Sequence, residues 1–326
     1  MELQLKNIGM IKEANVKIDG LTVIAGENDT GKSTLGKALY LILESSKFKA
    51  TSNFNPSDEW KKDAFVVHTF QLMKLIFKME LEEDAYISLE AKDKSYFFSK
   101  KKHIGELSDS EKNIIFIETP LVWNFSKFFR DIALVESQMN IELEYPFFLK
   151  NLNFKLFIKN ASKGIDIRDK MISLMGGQFE QDDRGDFFFN KNGKRIELEN
   201  TSTGIKQFGI FQVLSQNNYL NKNTLLVLDE PEVHLHPKWQ LEMAKIIVEL
   251  VEKGVKIVVN SHSPYMLEAL EVYSLKQKIN SNFYLAEKKD EYSMITDVTN
   301  DLEPIYFKLA EQIQRLEEES LENFKW

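Results

Sequence analysis

Gly26-Glu27-Asn28-Asp29-Thr30-Gly31-Lys32-Ser33-Thr34 has the spacing G-x-x-x-x-G-K-[ST]. In a loop of this kind the backbone N–H groups cradle a polyphosphate. Gly26, Asn28, Asp29, Thr30, Gly31, Lys32, Ser33 and Thr34 would line it. Lys32 is placed to reach the β- and γ-phosphates, and the Ser33 hydroxyl to ligate Mg2+. The implied ligands are a nucleoside triphosphate and Mg2+.

A second group lies two hundred residues on. Asp229-Glu230 ends the apolar run Thr224–Leu228 (TLLVL). Asp229 is expected to hold Mg2+ opposite Ser33, and Glu230 to orient or deprotonate the attacking water. An Asp-Glu pair also serves as a helix-start signal, but here Pro231 follows at once on a strand end. His262 closes the next apolar run, in Asn260-Ser261-His262-Ser263-Pro264. A lone histidine is commonly structural; at a strand end beside the expected water and γ-phosphate it is also a sensor or transition-state donor. Thr201-Ser202-Thr203-Gly204-Ile205-Lys206 reads by itself as an N-cap with a glycine, and equally as an anion site at a helix start.

These residues need elements to hold them. Leu21–Ala25 (LTVIA) reads as a short buried strand feeding the loop, and a helix runs from Ser33 to about Ser45. Ahead of them, Glu2 to Ile18 alternates as two strands around Gly9. Polar residues from Ser46 to Asp58 predict a loop, and Trp60–Leu81 an amphipathic helix. Ala85–Ser99 alternates as strands, Asn113–Pro120 is a strand stopped by proline, and Leu121–Met139 and Asp166–Met175 are helical. Asn192-Gly193 marks a hairpin turn within Gln178–Leu198. Helices at Thr203–Leu214 and Lys238–Glu252 alternate with buried strands at Thr224–Leu228 and Lys256–Asn260. That alternation predicts an α/β fold with a mostly parallel sheet flanked by helices, whose ligands sit at the carboxyl ends of the strands.

Composition narrows the classes. The 326 residues contain no cysteine, which excludes disulfides, thiolate catalysis and cysteine zinc sites. The start shows no signal-peptide region and no apolar run spans a bilayer, so a cytoplasmic protein with no membrane partner is expected. A formal charge of −8 argues against a globally basic nucleic-acid binder but leaves room for a local groove. Lys100-Lys101-Lys102 is the basic triplet, ordinarily a solvated loop.

The order of phosphate loop, Ser-x-Gly at a helix start, LLVLDEPE and a strand followed by SHSP resembles an ATP-binding-cassette ATPase. Within that class, Asp229-Glu230-Pro231-Glu232-Val233-His234-Leu235-His236-Pro237 resembles the soluble RecF/OLD branch, whose pattern is EPExxLHP. Transporters carry EPTxxLD and a LSGGQ signature; here the signature position reads STGIK. Ser202 and Gly204 match, Thr203 and Ile205 depart, and Lys206 is similar to the basic residue of RecF-like proteins.

The resemblance implies a P-loop head with an N-terminal antiparallel portion and an inserted helical and hairpin region. It also implies a head-to-tail homodimer with ATP sandwiched between heads. Ser202 and Gly204 of one copy would then meet the phosphate held by Lys32 of the other, while His236 and Pro237 fall in the loop that crosses the dimer. Ile117–Pro120 matches the Q-loop position, with Glu118 in place of glutamine. In this division residues 1–45 and 200–270 form the nucleotide-binding core of a single head. Residues 46–199 are an insertion, and 271–326 a C-terminal strand and helix.

The interval from Ser33 to Ser202 is too short and irregular for long coiled-coil arms, and no TOPRIM nuclease pattern follows His262. The resemblance therefore implies the ATPase half of a two-component system, acting with a separate nuclease or toxin. Members of this branch without a nuclease are often found in bacterial anti-phage defence. The alternative is a RecF-like DNA repair or DNA-structure-binding ATPase; a transporter energiser is disfavoured by the LHP segment. The stripe Ile305, Leu309, Ile313 and Leu316 predicts a terminal helix over Glu303–Glu319, packed on the core or docked on a partner.

Overall fold

The computed structural model describes residues 1–51, 59–91, 94–100, 103–105, 113–139 and 146–311. β1 (Glu2–Ile8) and β2 (Ile11–Lys17) form an antiparallel hairpin in which apolar residues recur on one face. β3 (Leu21–Ala25) is buried along its whole length and enters the glycine loop, and α1 (Lys32–Thr51) starts inside that loop's Lys-Ser pair. Next come α2 (Glu59–Phe77), β4 (Tyr86–Ala91), β5 (Lys94–Ser99), β6 (His103–Gly105) and β7 (Asn113–Ile117). A 3-10 turn at Pro120–Phe125 leads into α3 (Ser126–Met139), α4 (Phe147–Phe157) and α5 (Arg168–Met175). β8 (Gln178–Gln181), β9 (Phe187–Lys191) and β10 (Lys194–Glu197) make a separate three-stranded sheet. Then α6 (Thr203–Gln216), β11 (Thr224–Asp229), α7 (Pro237–Glu252), β12 (Lys256–Ser261) and α8 (Pro264–Gln277) alternate. β13 (Ser281–Lys289) and β14 (Tyr292–Asp297) precede a helix at 303–311.

One eleven-stranded sheet runs β6-β5-β4-β1-β2-β14-β13-β3-β12-β11-β7. From β13 to β7 each neighbouring pair is parallel. From β6 to β2 each pair is antiparallel. β14 bridges the halves, antiparallel to β13 and parallel to β2. The α/β fold class read from the motifs holds, and its antiparallel part is extended by β4, β5 and β6. β4 pairs with β1 by Leu3↔Leu89 and Leu5↔Ile87, which puts these apolar residues on a shared face.

The parallel strands are buried on both faces, which accounts for their unbroken apolar runs. Ile24, Leu225, Val227 and Val258 pack toward Leu35 and Leu39 of α1. Alternate residues Leu226, Leu228, Ile257 and Val259 pack toward Phe208, Met243, Ile247 and Met266 of α6, α7 and α8.

Some local expectations change. α1 continues to Thr51 instead of ending near Ser45. Ser46 Oγ donates to Leu43 O at 2.7 Å, so the serine satisfies itself on the preceding turn and does not break the helix. The segment from Leu121 opens as a 3-10 turn, set by Pro120 at its start and by Thr119, whose Oγ1 accepts from Leu121 N at 3.2 Å. After α8 the chain forms two strands where one was expected. Asn192 and Gly193, at φ 53° and 76°, make the expected hairpin turn between β9 and β10.

Ile305 is buried and Leu309 packs beside it; Ile313 and Leu316 lie outside the described residues, as do Lys101, Lys102 and most of the loop expected at 46–58. Lys100 pairs with Glu83 at 3.6 Å. Among the described residues no helix is long and apolar enough to cross a membrane.

Candidate active site

The strand order β7-β11-β12-β3 brings the carboxyl ends of these parallel strands side by side. In register, Leu228 lies opposite Ile117, Asp229 opposite Asn260, and Ser261 opposite Ala25. Glu118, Asp229, His262 and the glycine loop therefore emerge along one rim.

The loop's glycines are there for space and backbone shape. Gly26 has φ 153° and a Cβ on it would stand 2.3 Å from Ala286 O. At Gly31, φ is 85° and a Cβ would stand 2.7 Å from Ile11 Cγ1. Thr30 Oγ1 braces the loop by donating to Glu27 O at 2.8 Å. Asn28 and Asp29 are exposed, and Asp29 pairs with Lys288 at 3.2 Å. Thr34 is half-buried beside Gly9.

Lys32 is 5% exposed and its Nζ donates to Gly26 O at 2.9 Å and Glu27 O at 2.6 Å. Burial pushes its pKa below the usual lysine value, opposed by the carboxylates of Glu230, Asp229, Glu232 and Glu27. Ser33 Oγ donates to Asp229 Oδ1 at 3.0 Å, and Asn260 Nδ2 donates to the same oxygen at 2.8 Å. Loss of solvation holds the Asp229 carboxyl above the ordinary aspartate range despite those two hydrogen bonds.

Glu230 has the left-handed φ of 49°, its N–H donating to Asn260 O at 2.9 Å. Its Oε1 lies 3.1 Å from His262 Nδ1. A carboxylate only accepts, so the ring carries its hydrogen on Nδ1. Behind this pair sits Glu232, 4% exposed. Its Oε1 accepts from Ser261 Oγ at 2.6 Å and from the His262 N–H at 3.0 Å. Burial raises the Glu232 carboxyl above its usual range.

A cavity of about 210 Å3 opens here, walled by Ser33, Glu118, Gln207, Asp229, Glu230 and His234 among others. At roughly 30 Å3 per water it has room for about seven waters. Glu118 at its wall is exposed by surface area, but the crowding of the cleft around it and the nearby charge of Asp229 raise its carboxyl pKa, with Lys37 opposing. Asp229 and Ser33 are hard oxygen donors on one point, suited to Mg2+, which takes few protein ligands and completes its shell with water and phosphate. Among the described residues no group of three or more His, Asp or Glu makes an all-protein cage.

Ser202 is exposed as the N-cap of α6, accepting from Ile205 N at 3.4 Å. Gly204 is buried against Trp239, whose ring would stand 3.2 Å from a Cβ. Lys206 is placed differently: it is 6% exposed, and its Nζ donates to Asn124 Oδ1 at 2.8 Å inside the head. Burial lowers its pKa. His236 caps α7, its Nδ1 accepting from Lys238 N at 3.3 Å, with Pro237 as the first helical residue. Glu232, Asn260 and Gln207 drew no role from the sequence. For Asn260 and Glu232 the available signal was a polar residue ending or following an apolar strand, as in KIVVN and LLVLDEPE; Gln207 lies within α6 and carried no such signal.

A parallel sheet with a phosphate loop after one strand, an acidic pair after a second and a histidine after a third defines an ATP-binding-cassette-type ATPase head. The chain belongs to the family described as "AAA domain, putative AbiEii toxin, Type IV TA system", which matches residues 21–268. The chain is an ATPase. It is similar to Septu protein PtuA of Bacillus thuringiensis, 23% identical over 314 residues, covering 84% of this chain and 74% of that protein. Over 59 residues it is 36% identical to the Old nuclease of Escherichia phage P2, covering 18% of this chain and 10% of that protein. Its fold matches the SmcHead bound to the C-winged helix domain of ScpA with a TM-score of 0.51 at 14% identity, over 92% of this chain and 97% of that one.

Proposed function

We propose that the chain is an ATP-operated dimeric switch: ATP closes two heads on each other, hydrolysis opens them, and the closed form controls a separate effector. The observation that carries this is the meeting of Lys32, Ser33, Asp229, Glu230 and His262 at adjacent strand ends.

Lys32 exchanges its two carbonyl partners, Gly26 O and Glu27 O, for phosphate oxygens. Asp229 and Ser33 would hold Mg2+, which when bound would neutralise charge developing on the transferred phosphoryl group. Glu230 takes the proton of the attacking water. His262 keeps Glu230 in place through Nδ1–H, and reaches a phosphate with Nε2 as a donor only as the imidazolium. The start of α6, with Ser202 exposed at its N-cap and Gly204 packed behind it on Trp239, turns the positive end of the helix toward the nucleotide of a second copy. The head acts in the cytoplasm, and the likeness to Septu protein PtuA supports a role in anti-phage defence.

Glu230→Gln with ATP and Mg2+ is the test. Light scattering should detect a species of twice the mass, trapped because closure proceeds and hydrolysis does not. A persistent monomer would sink the clasp, and unchanged turnover would sink the role of Glu230.

A DNA-structure-binding reading draws on one feature: Lys170, Lys245, Lys253 and Lys276 border a groove beside α7 and α8. Glu249 engages both Lys170 and Lys253 there, which weakens it. Affinity for duplex DNA that falls steeply with salt would favour this reading.

A further inference from the structure

We propose that Glu232 is a positioning residue of the ATPase site, clamping Ser261 and His262 at the end of β12 so that the imidazole stays on Glu230. This rests on the catalytic reading of Glu230 and His262 given above.

Two overlapping turns make the clamp possible. Val233 N donates to Glu230 O at 3.0 Å and Leu235 N to Glu232 O at 2.9 Å, with His234 at φ 66°. They fold the chain after Asp229 back on itself and carry the Glu232 side chain under β12. There a single oxygen, Oε1, takes the Ser261 hydroxyl at 2.6 Å and the His262 N–H at 3.0 Å. Ser261 Oγ in turn accepts from Ser263 N at 3.1 Å, so the clamp extends to the N-cap of α8. The residue thus fixes the His262 backbone, while the ring lies 3.1 Å from Glu230.

The arrangement is expensive for a residue that merely fills space. Glu232 Oε2 is buried with no hydrogen-bond partner among the described residues, and a buried, half-satisfied carboxyl is a liability for stability. Costly polar groups of this kind concentrate where geometry serves function. The requirement is reach and an acceptor oxygen, which glutamine retains, aspartate lacks by one methylene, and alanine lacks altogether.

The test uses the full chain with ATP and Mg2+. Glu232→Ala should lower kcat by about 10²-fold, the usual scale for a catalytic group displaced by about an ångström, with KM for ATP changed less than about threefold. Glu232→Gln should recover at least about tenfold of that loss, and Glu232→Asp should not. Nitrogen-15 NMR of the imidazoles, with His262 identified by the His262→Gln variant, should show the Nδ1–H tautomer in wild type and Glu232→Gln and its loss in Glu232→Ala. Wild-type kcat in Glu232→Ala, a kcat loss in Glu232→Gln equal to that in Glu232→Ala, or a KM rising in step with the loss would overturn the proposal. If Glu232→Ala does not fold, the Asp and Gln variants decide it: full activity with Asp overturns it, low activity with Asp and recovery with Gln supports it. The tautomer is read without turnover, so it stands apart from failure of the catalytic reading, which Glu230→Gln reports.

Discussion

Ser33 and Asp229 are 196 residues apart in sequence and 3.0 Å apart in space, hydroxyl to carboxylate. Asn260 donates to the same Asp229 oxygen, so the carboxylate is oriented before any ligand arrives. Pre-set geometry of this kind lowers the cost of ordering a metal site.

Ser33→Ala removes one of the two hard donors. Its Mg2+ requirement should rise by at least about tenfold, the scale seen when a metal site loses an orienting or ligating group. A magnesium titration of ATPase rate reads this directly, and an unchanged midpoint would remove Ser33 from the metal site.

Lys32 is enclosed by carboxylates and carbonyls, so its replacement should be felt in binding as well as turnover. Lys32→Ala is expected to abolish measurable binding of a fluorescent ATP analogue. Lys32→Arg should also fail, because a planar guanidinium is a poor substitute for a compact buried ammonium.

The raised pKa of Asp229 has a definite sign for stability. A carboxyl that holds its proton more tightly when folded favours the folded state at low pH. That advantage is lost as pH climbs from the usual 3.8 through the folded value. Asp229→Asn should therefore melt higher than wild type in nucleotide-free neutral buffer, and the gap should close as pH falls toward 3.8. Adding ATP and Mg2+ should stabilise wild type and leave the variant behind. Thermal melts across pH check both arms.

Gly26→Ala places a Cβ 2.3 Å from Ala286 O, a backbone atom of β13 that has no room to retreat. Loss of ATP binding and of about 1–3 kcal/mol of stability is expected, the scale of a strained backbone residue. Gly193→Ala is the control: nothing lies within 4 Å, so it should cost only about 1–2 kcal/mol for a left-handed residue and leave ATPase activity intact.

The composite site can be tested by complementation. Ser202→Phe and Lys32→Ala should each be inactive alone. Mixed, they form heterodimers with one intact site, Lys32 from one copy and Ser202 from the other. Random pairing should return about a quarter of wild-type turnover, since half the dimers are mixed and each has one good site. No recovery would argue against sharing between copies.

The amino-acid order by itself determined the features that are local in the chain. The loop from Gly26 to Thr34, its flanking strand and helix, and the hairpin at Asn192-Gly193 follow from spacing, glycine conformation and short-range periodicity. So do the strand ending at Asp229 and, to within one residue, the strand ending at Ser261, because burial on both faces leaves an unbroken apolar signature. The length of α1 escaped this logic because Ser46 bonds to Leu43 in the preceding turn, a choice that composition does not reveal. Other features depended on distant partners: β4 on β1, β14 against β2, Lys206 turned inward to Asn124, and Glu232 under Ser261 and His262. Such pairings join segments whose local patterns would suit several neighbours, so only the packed sheet selects among them. Motif spacing thus announced a triphosphate loop, while the strand order decided which carboxylates and which histidine meet it.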